Sequence, residues 1–124
     1  VLSLLDARGT ARAQARVLVL GVTFKENCPD LRNSRALELA QALQAAGAQV
    51  QVQDPWVGAA ALAGTGVTLV DVPEAHAFDA VVLAVAHDRF RQMDVDAIRA
   101  LLRPGGVVYD VKSVWPREVV DDRL

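Results

Sequence analysis

Four apolar residues in a row, Val17-Leu18-Val19-Leu20, lead straight into Gly21 and a long polar stretch. No other feature restricts the fold of this chain as much. An apolar run without alternation marks a strand covered on both faces, the usual state of a strand inside a parallel sheet. Ala80 to Val85 is a second run of the same kind. Between them Ser34, or Asn33 as the alternative, is suited to cap a helix, because a short side-chain oxygen accepts from the first free N–H groups. Ala36, Leu37, Leu39, Ala40, Leu43 and Ala46 then recur at helical spacing. Gly47 follows as a C′ residue suited to the left-handed conformation.

The remaining elements follow from local punctuation. Gln49 to Gln53 alternates polar and apolar, so it predicts a strand nearer the sheet edge or only half covered, closed by Asp54-Pro55. Residues 58–63 predict a small-residue helix with Gly64 and Gly66 as its exit, and Val67 to Val70 a short strand. Pro73 to Ala77 reads as a helical turn, since Pro is tolerated in a first turn. Asp94 caps a helix from Val95 to about Leu102, Pro104-Gly105-Gly106 turn the chain, and Val107 to Tyr109 is a strand closed by Asp110. From Lys112 onward the chain reads as loop or a final short helix. Strands alternating with helices predict an α/β, Rossmann-like three-layer domain with a mainly parallel sheet flanked by helices. The first strand and the Ala80 strand become central neighbours. The loops after Leu20, Val85 and Tyr109 then share the carboxyl edge of the sheet, where such folds bind ligands.

Composition narrows the class. The chain has 124 residues, enough for one domain with its own core. A hydrophobic fraction of 52% with 23% charged residues describes a globular protein rather than a disordered one. A net charge of -2 with no basic run argues against a nucleic-acid partner. No apolar segment approaches the ~20 residues of a membrane span, so no membrane partner is expected. A single cysteine excludes an internal disulfide. The start is a poor secretory signal, and a cytoplasmic location is the default expectation.

The loop after the first strand, GVTFKENCPDLRNS, resembles the signature of the C-terminal domain of the UDP-glucose/GDP-mannose dehydrogenase family. That signature has a glycine, an aromatic-Lys pair, and a spaced Asp and Arg before a helix. Here these are Gly21, Phe24-Lys25, Asp30 and Arg32. Glu26-Asn27-Cys28-Pro29 most resembles the branch that oxidises UDP-N-acetylhexosamines, the UDP-N-acetylglucosamine 6-dehydrogenases in particular. Asp54-Pro55-Trp56, AVAHDRF (Ala84 to Phe90) and Asp110-Val111-Lys112 extend the resemblance along most of the chain. It implies that residues 1–14 are a tail or helix arriving from a missing preceding domain, and that 15–124 form a UDP-sugar-binding domain. It implies too a homodimeric whole enzyme, with NAD held mainly by a missing N-terminal domain and the nucleophilic cysteine in a missing central one. This chain alone is then expected to be inactive.

The resemblance also implies roles for three cations. Lys25 would contact the UDP-sugar, as a mobile point charge suited to phosphate or a sugar hydroxyl. Taken without the motif it is a solvated loop lysine. Arg32 would reach the NAD pyrophosphate, since a guanidinium fork and a helix N-terminus both favour anions. A loop clamp to Asp30 or Glu26 is its other reading. Lys112 stands where the family commonly has Arg in an Asp-x-Arg pattern that binds the UDP portion. Lysine keeps the charge but loses the planar fork.

Other candidates read as structural. The G-x-G-x-x-G of a dinucleotide fold is absent, because Gly21 stands alone. Asp54 sits where a ribose-binding acid would, but Pro55 and the missing glycines argue for a turn role. Cys28 reads as a packing or loop residue, and Asp30 as a residue that orients Arg32 or caps the loop. His87 reads as a structural hydrogen-bonding residue rather than a proton carrier, and His76 as a surface residue. The two histidines are too far apart in sequence for a metal site without further ligands. Asp110 reads as a turn residue, and Trp56 and Trp115 as packing aromatics rather than base-stacking ones. No catalytic residue is assigned. The alternative from another class is a non-enzymatic nucleotide-binding or regulatory α/β module, favoured by the missing catalytic set and opposed by the FKENCPDLR loop. A response-regulator receiver is excluded by the lack of paired acids after the first strand.

Overall fold

The computed structural model describes residues 15–23, 27, 31, 34–62, 64–111, 115 and 122–123. Strand β1 (Arg16–Leu20) lies between β2 (Gln49–Gln53) and β4 (Phe78–Leu83), pairing Val17 with both Val50 and Ala80. Strand β3 (Thr68–Leu69) adds outside β2, and β5 (Leu102–Asp110) and β6 (Asp122–Arg123) add outside β4. Among the described residues all pairings are parallel and the order is β3-β2-β1-β4-β5-β6. This is the doubly wound order, and its direction of winding reverses between β1 and β4.

Both faces of the sheet are covered, as the unbroken apolar runs require. Val17 and Val19 pack with Ala36, Ala40 and Leu43 of helix α1 (Arg35–Ala45). Leu18 and Leu20 point the other way, into a cluster with Phe78, Phe90, Ile98 and Trp115. Val17, Leu18, Val19 and Leu20 are all fully buried. Each such burial contributes about 1.5–3 kcal/mol relative to exposure, so β1 anchors both layers at once.

Helix α1 begins where the sequence predicts. The Ser34 side chain accepts from Leu37 N at 3.0 Å, and Gly47 follows the C-cap at φ 106°. Residues Ala59–Leu62 form a single 3-10 turn in place of the predicted small-residue helix. Helix α2 (Asp88–Arg91) is one turn that the sequence pattern does not reveal. Helix α3 (Val95–Arg99) is capped by Asp94 through Ala97 N at 2.8 Å. It ends earlier than expected because Leu102 already belongs to β5.

Three expectations are corrected. Pro73 to Ala77 is not a helical turn: His76 adopts φ 54°, and its N–H donates to Ala100 O across the fold instead of to a helical acceptor. Pro104-Gly105-Gly106 does not separate two elements but lies inside β5. There the pairing passes from Phe78↔Leu102 to Ala80↔Val107, five residue steps on β5 against two on β4. This bulge absorbs the turn-forming residues. The tail includes a strand, β6, where loop or helix was predicted. Two residues carry no periodic signal by which to find it.

Candidate functional site

The carboxyl edge of the sheet is knitted together where β1 ends. Leu20 O accepts from Ala84 N at 3.0 Å and Val85 N at 3.2 Å, while Gly21 N donates to Gln53 O at 2.9 Å. The first residues of the β1–α1 loop are thus held by both neighbouring strands. Val111 N donates to Leu83 O at 3.0 Å, which brings the β5 exit to the same edge. Ser34 closes the loop from its far end, with its hydroxyl donating to Val22 O.

At the centre of this edge lies a buried polar cluster from three loops. Asp54, following β2, accepts from Trp56 N on Oδ1 at 2.8 Å and from Val22 N on Oδ2 at 2.8 Å. The same Oδ2 lies 3.0 Å from His87 Nε2, and Thr23 Oγ1 lies 3.2 Å from that nitrogen. On the other side of the ring, Asn27 N donates to His87 Nδ1 at 2.8 Å. A backbone N–H can only donate, so Nδ1 is the acceptor and the ring proton sits on Nε2, facing Asp54. His87 is fully buried, and Thr23 and Asp54 nearly so. A buried carboxylate without partners is costly. Here three N–H donors replace the lost water.

The cluster continues outward. Asn27 Oδ1 accepts from Asp88 N at 3.1 Å, and His87 O accepts from Phe90 N and Arg91 N to start α2. The imidazole neighbours two aromatic rings, Trp56 at 6.2 Å and Phe90 at 5.7 Å between ring centroids. Trp115 is buried and ties the β5 exit to this group: its Nε1 donates to Phe90 O at 2.9 Å and its N to Asp110 Oδ2 at 2.8 Å. Asn27, Pro55, Trp56, Asp88 and Arg89 border an open cleft of about 480 Å³ at this edge. A larger depression of about 600 Å³ lies away from these loops, around Arg16, Gln49 and Thr68 near the amino ends of the strands.

Several sequence readings are realised here. Asp54 has the expected turn role, through Trp56 N, and His87 makes structural hydrogen bonds. Trp115 packs as predicted, whereas Trp56 is 44% exposed on the cleft. Lys25, Arg32 and Lys112 lie outside the described residues, as do Cys28, Asp30, residues 1–14 and most of the tail after Val111. The coupling of Asp54 to His87, and the part played by Asn27, escape sequence reasoning because the partners are 33 and 60 residues apart. Both Asp54 and His87 do fall inside stretches that carried the resemblance.

Among the described residues, the two positions that a dinucleotide fold would use at this edge have internal roles. Gly21 faces Val85 so closely that its missing side chain serves strand packing, not approach to a phosphate. Asp54 is nearly buried, with Oδ2 shared by Val22 N and His87 Nε2 and Oδ1 accepting from Trp56 N, so its carboxylate serves internal bonds. Among the described residues no three His, Cys, Asp or Glu side chains gather as a metal site, and no helix is long and apolar enough to cross a membrane.

Residues 18–117 match the model of the UDP-glucose/GDP-mannose dehydrogenase family, UDP binding domain. The chain belongs to this family. It is 44% identical over 111 residues to a UDP-N-acetyl-D-glucosamine 6-dehydrogenase of Pseudomonas aeruginosa, covering 89% of this chain and 26% of that protein. A protein of the same name from Salmonella typhi is 40% identical over 109 residues, covering 87% and 26%. The solved UDP-D-ManNAc dehydrogenase of Pyrococcus horikoshii superposes with a TM-score of 0.76 at 25% identity, covering 98% of this chain and 28% of that one. The chain therefore spans about a quarter of the length of the relatives it matches.

Proposed function

We propose that this UDP-binding domain grips the nucleotide of a UDP-N-acetylhexosamine in an NAD-dependent 6-dehydrogenase. The observation that carries the reading is the family match over residues 18–117, combined with a switch-point edge to which the loops after β1, β2, β4 and β5 converge. The relatives named as UDP-N-acetyl-D-glucosamine 6-dehydrogenases favour the N-acetylhexosamine branch. Lys25 and Lys112 supply positive charge for the UDP-sugar, and Arg32 reaches toward the pyrophosphate of NAD. A lone Gly21 where a dinucleotide fold carries G-x-G-x-x-G supports the reading that NAD is held mainly by another domain.

The whole reaction converts a C6 alcohol to a carboxylate in two oxidations, reducing two NAD and consuming one water. This chain's part is binding and orientation. The setting is a cytoplasmic homodimer that supplies surface polysaccharide biosynthesis. The family match and the relatives do not favour the regulatory-module alternative.

Calorimetric titration of the chain with UDP, UDP-N-acetylglucosamine and NAD, repeated on Lys25→Ala, tests the reading. UDP and the UDP-sugar are expected to bind, the variant more weakly, and NAD to bind poorly or not at all. No UDP binding would favour a regulatory module, and tight NAD binding would overturn the division of labour between domains.

A further inference from the structure

We propose that His87 is a positioning residue for the ligand-binding loop after β1, acting through the backbone N–H of Asn27. The inference rests on the UDP-binding reading above. Lys25 falls in sequence between two points where this loop is tied to the buried cluster. Ahead of it, Val22 N is bound to Asp54 Oδ2 and Thr23 Oγ1 faces His87 Nε2. Behind it, Asn27 N is bound to His87 Nδ1 at 2.8 Å.

Each ring nitrogen therefore has a separate task. Nε2 meets the carboxylate that also holds the start of the loop, which fixes the ring's orientation. Nδ1 then points its lone pair at Asn27. Asn27 has a φ of 55°, in the left-handed region that asparagine enters more readily than most residues, and the bond from its N–H to His87 holds it there. Its side chain accepts a second bond from Asp88 N, the residue next to His87. A histidine used only to fill space would have no use for a matched acceptor and donor on opposite sides of its ring.

The two amide replacements separate these tasks. In His87→Asn the side-chain oxygen sits one bond from Cγ, as Nδ1 does, and still accepts from Asn27. In His87→Gln the longer amide reaches toward Asp54 and leaves the Asn27 N–H without its partner. UDP titration and thermal melting of both variants, beside the parent chain, form the test. His87→Gln is expected to bind UDP about 5- to 10-fold more weakly, the worth of one hydrogen bond. His87→Asn is expected to stay nearer the parent affinity, whatever the two melting temperatures.

Parent-like affinity in His87→Gln overturns the inference, as does an equal loss in both variants that follows their melting temperatures. If neither variant folds, Asn27→Pro decides. Asn27 is exposed, so this change removes the N–H and forbids the left-handed φ without opening the core. Parent-like UDP affinity in Asn27→Pro overturns the inference, and a loss of about 5-fold or more supports it. A parent chain that binds no UDP overturns the functional reading and this inference together. Binding by the parent with unaffected variants overturns the inference alone.

Discussion

A Cβ placed on Gly21 would stand 2.5 Å from the Cβ of Val85 and 3.0 Å from that residue's backbone N and O. The approach is this close because Leu20 O accepts from both Ala84 N and Val85 N, which draws the β4 exit against the end of β1. Gly21 also adopts φ 92°. Two independent constraints thus select glycine at the point where the loop departs.

Gly21→Ala is accordingly expected to destabilise the chain by about 2–4 kcal/mol, combining left-handed strain with overpacking against backbone. Urea unfolding with an unchanged m-value would report it. A loss below about 1 kcal/mol would show that the β4 exit yields to admit the methyl group.

Ser34 serves two segments with one hydroxyl. It accepts from Leu37 N to start α1 and donates to the buried Val22 O. Ser34→Ala removes the cap, worth about 0.5–2 kcal/mol, and leaves the Val22 carbonyl without this donor. The combined loss is expected near 2 kcal/mol or slightly above, and Ser34→Gly is not expected to restore it. Equal stability of Ser34→Ala and the parent in urea would show that water replaces both bonds.

Asp54 is the most heavily used acceptor of the cluster, with Trp56 N on one oxygen and Val22 N and His87 Nε2 on the other. Asp54→Asn replaces one oxygen by an NH2 group that meets N–H donors whichever way the amide is turned. A destabilisation of about 2–4 kcal/mol is expected, from buried donors left facing each other. Thermal unfolding measures the loss. Retention of parent stability would show that the cluster rearranges or admits water to satisfy the displaced donors.

The parts of the fold that could be read in advance are those with a local cause. β1 and the core of β4 are continuous apolar runs, α1 has a cap, a period and a terminating glycine, and β2 alternates. Asp94 announces α3 for the same reason. What could not be read depends on distant partners or on too few residues. α2 is one turn held by His87 O, β6 is two residues, and the bulge in β5 exists because β4 runs alongside it. The site divides in the same way. Asp54 could be seen as a turn residue because Trp56 is two positions away. Its bonds to Val22 and His87 arise only when β1, β2 and β4 lie side by side.

Trp56 offers a direct optical reading of ligand position. It is 44% exposed and borders the cleft with Asn27 and Arg89, whereas Trp115, the other tryptophan of the chain, is 2% exposed. Collisional quenching by acrylamide should therefore act almost entirely on Trp56. Ligand seated at the carboxyl edge over this cleft is expected to lower the quenching slope, and Trp56→Phe to abolish that response. The substitution itself should cost little stability, within about 1 kcal/mol, because the ring is at the surface. Saturating UDP with an unchanged slope would place the nucleotide away from the β2 exit, leaving the β1 and β5 loops as its contacts.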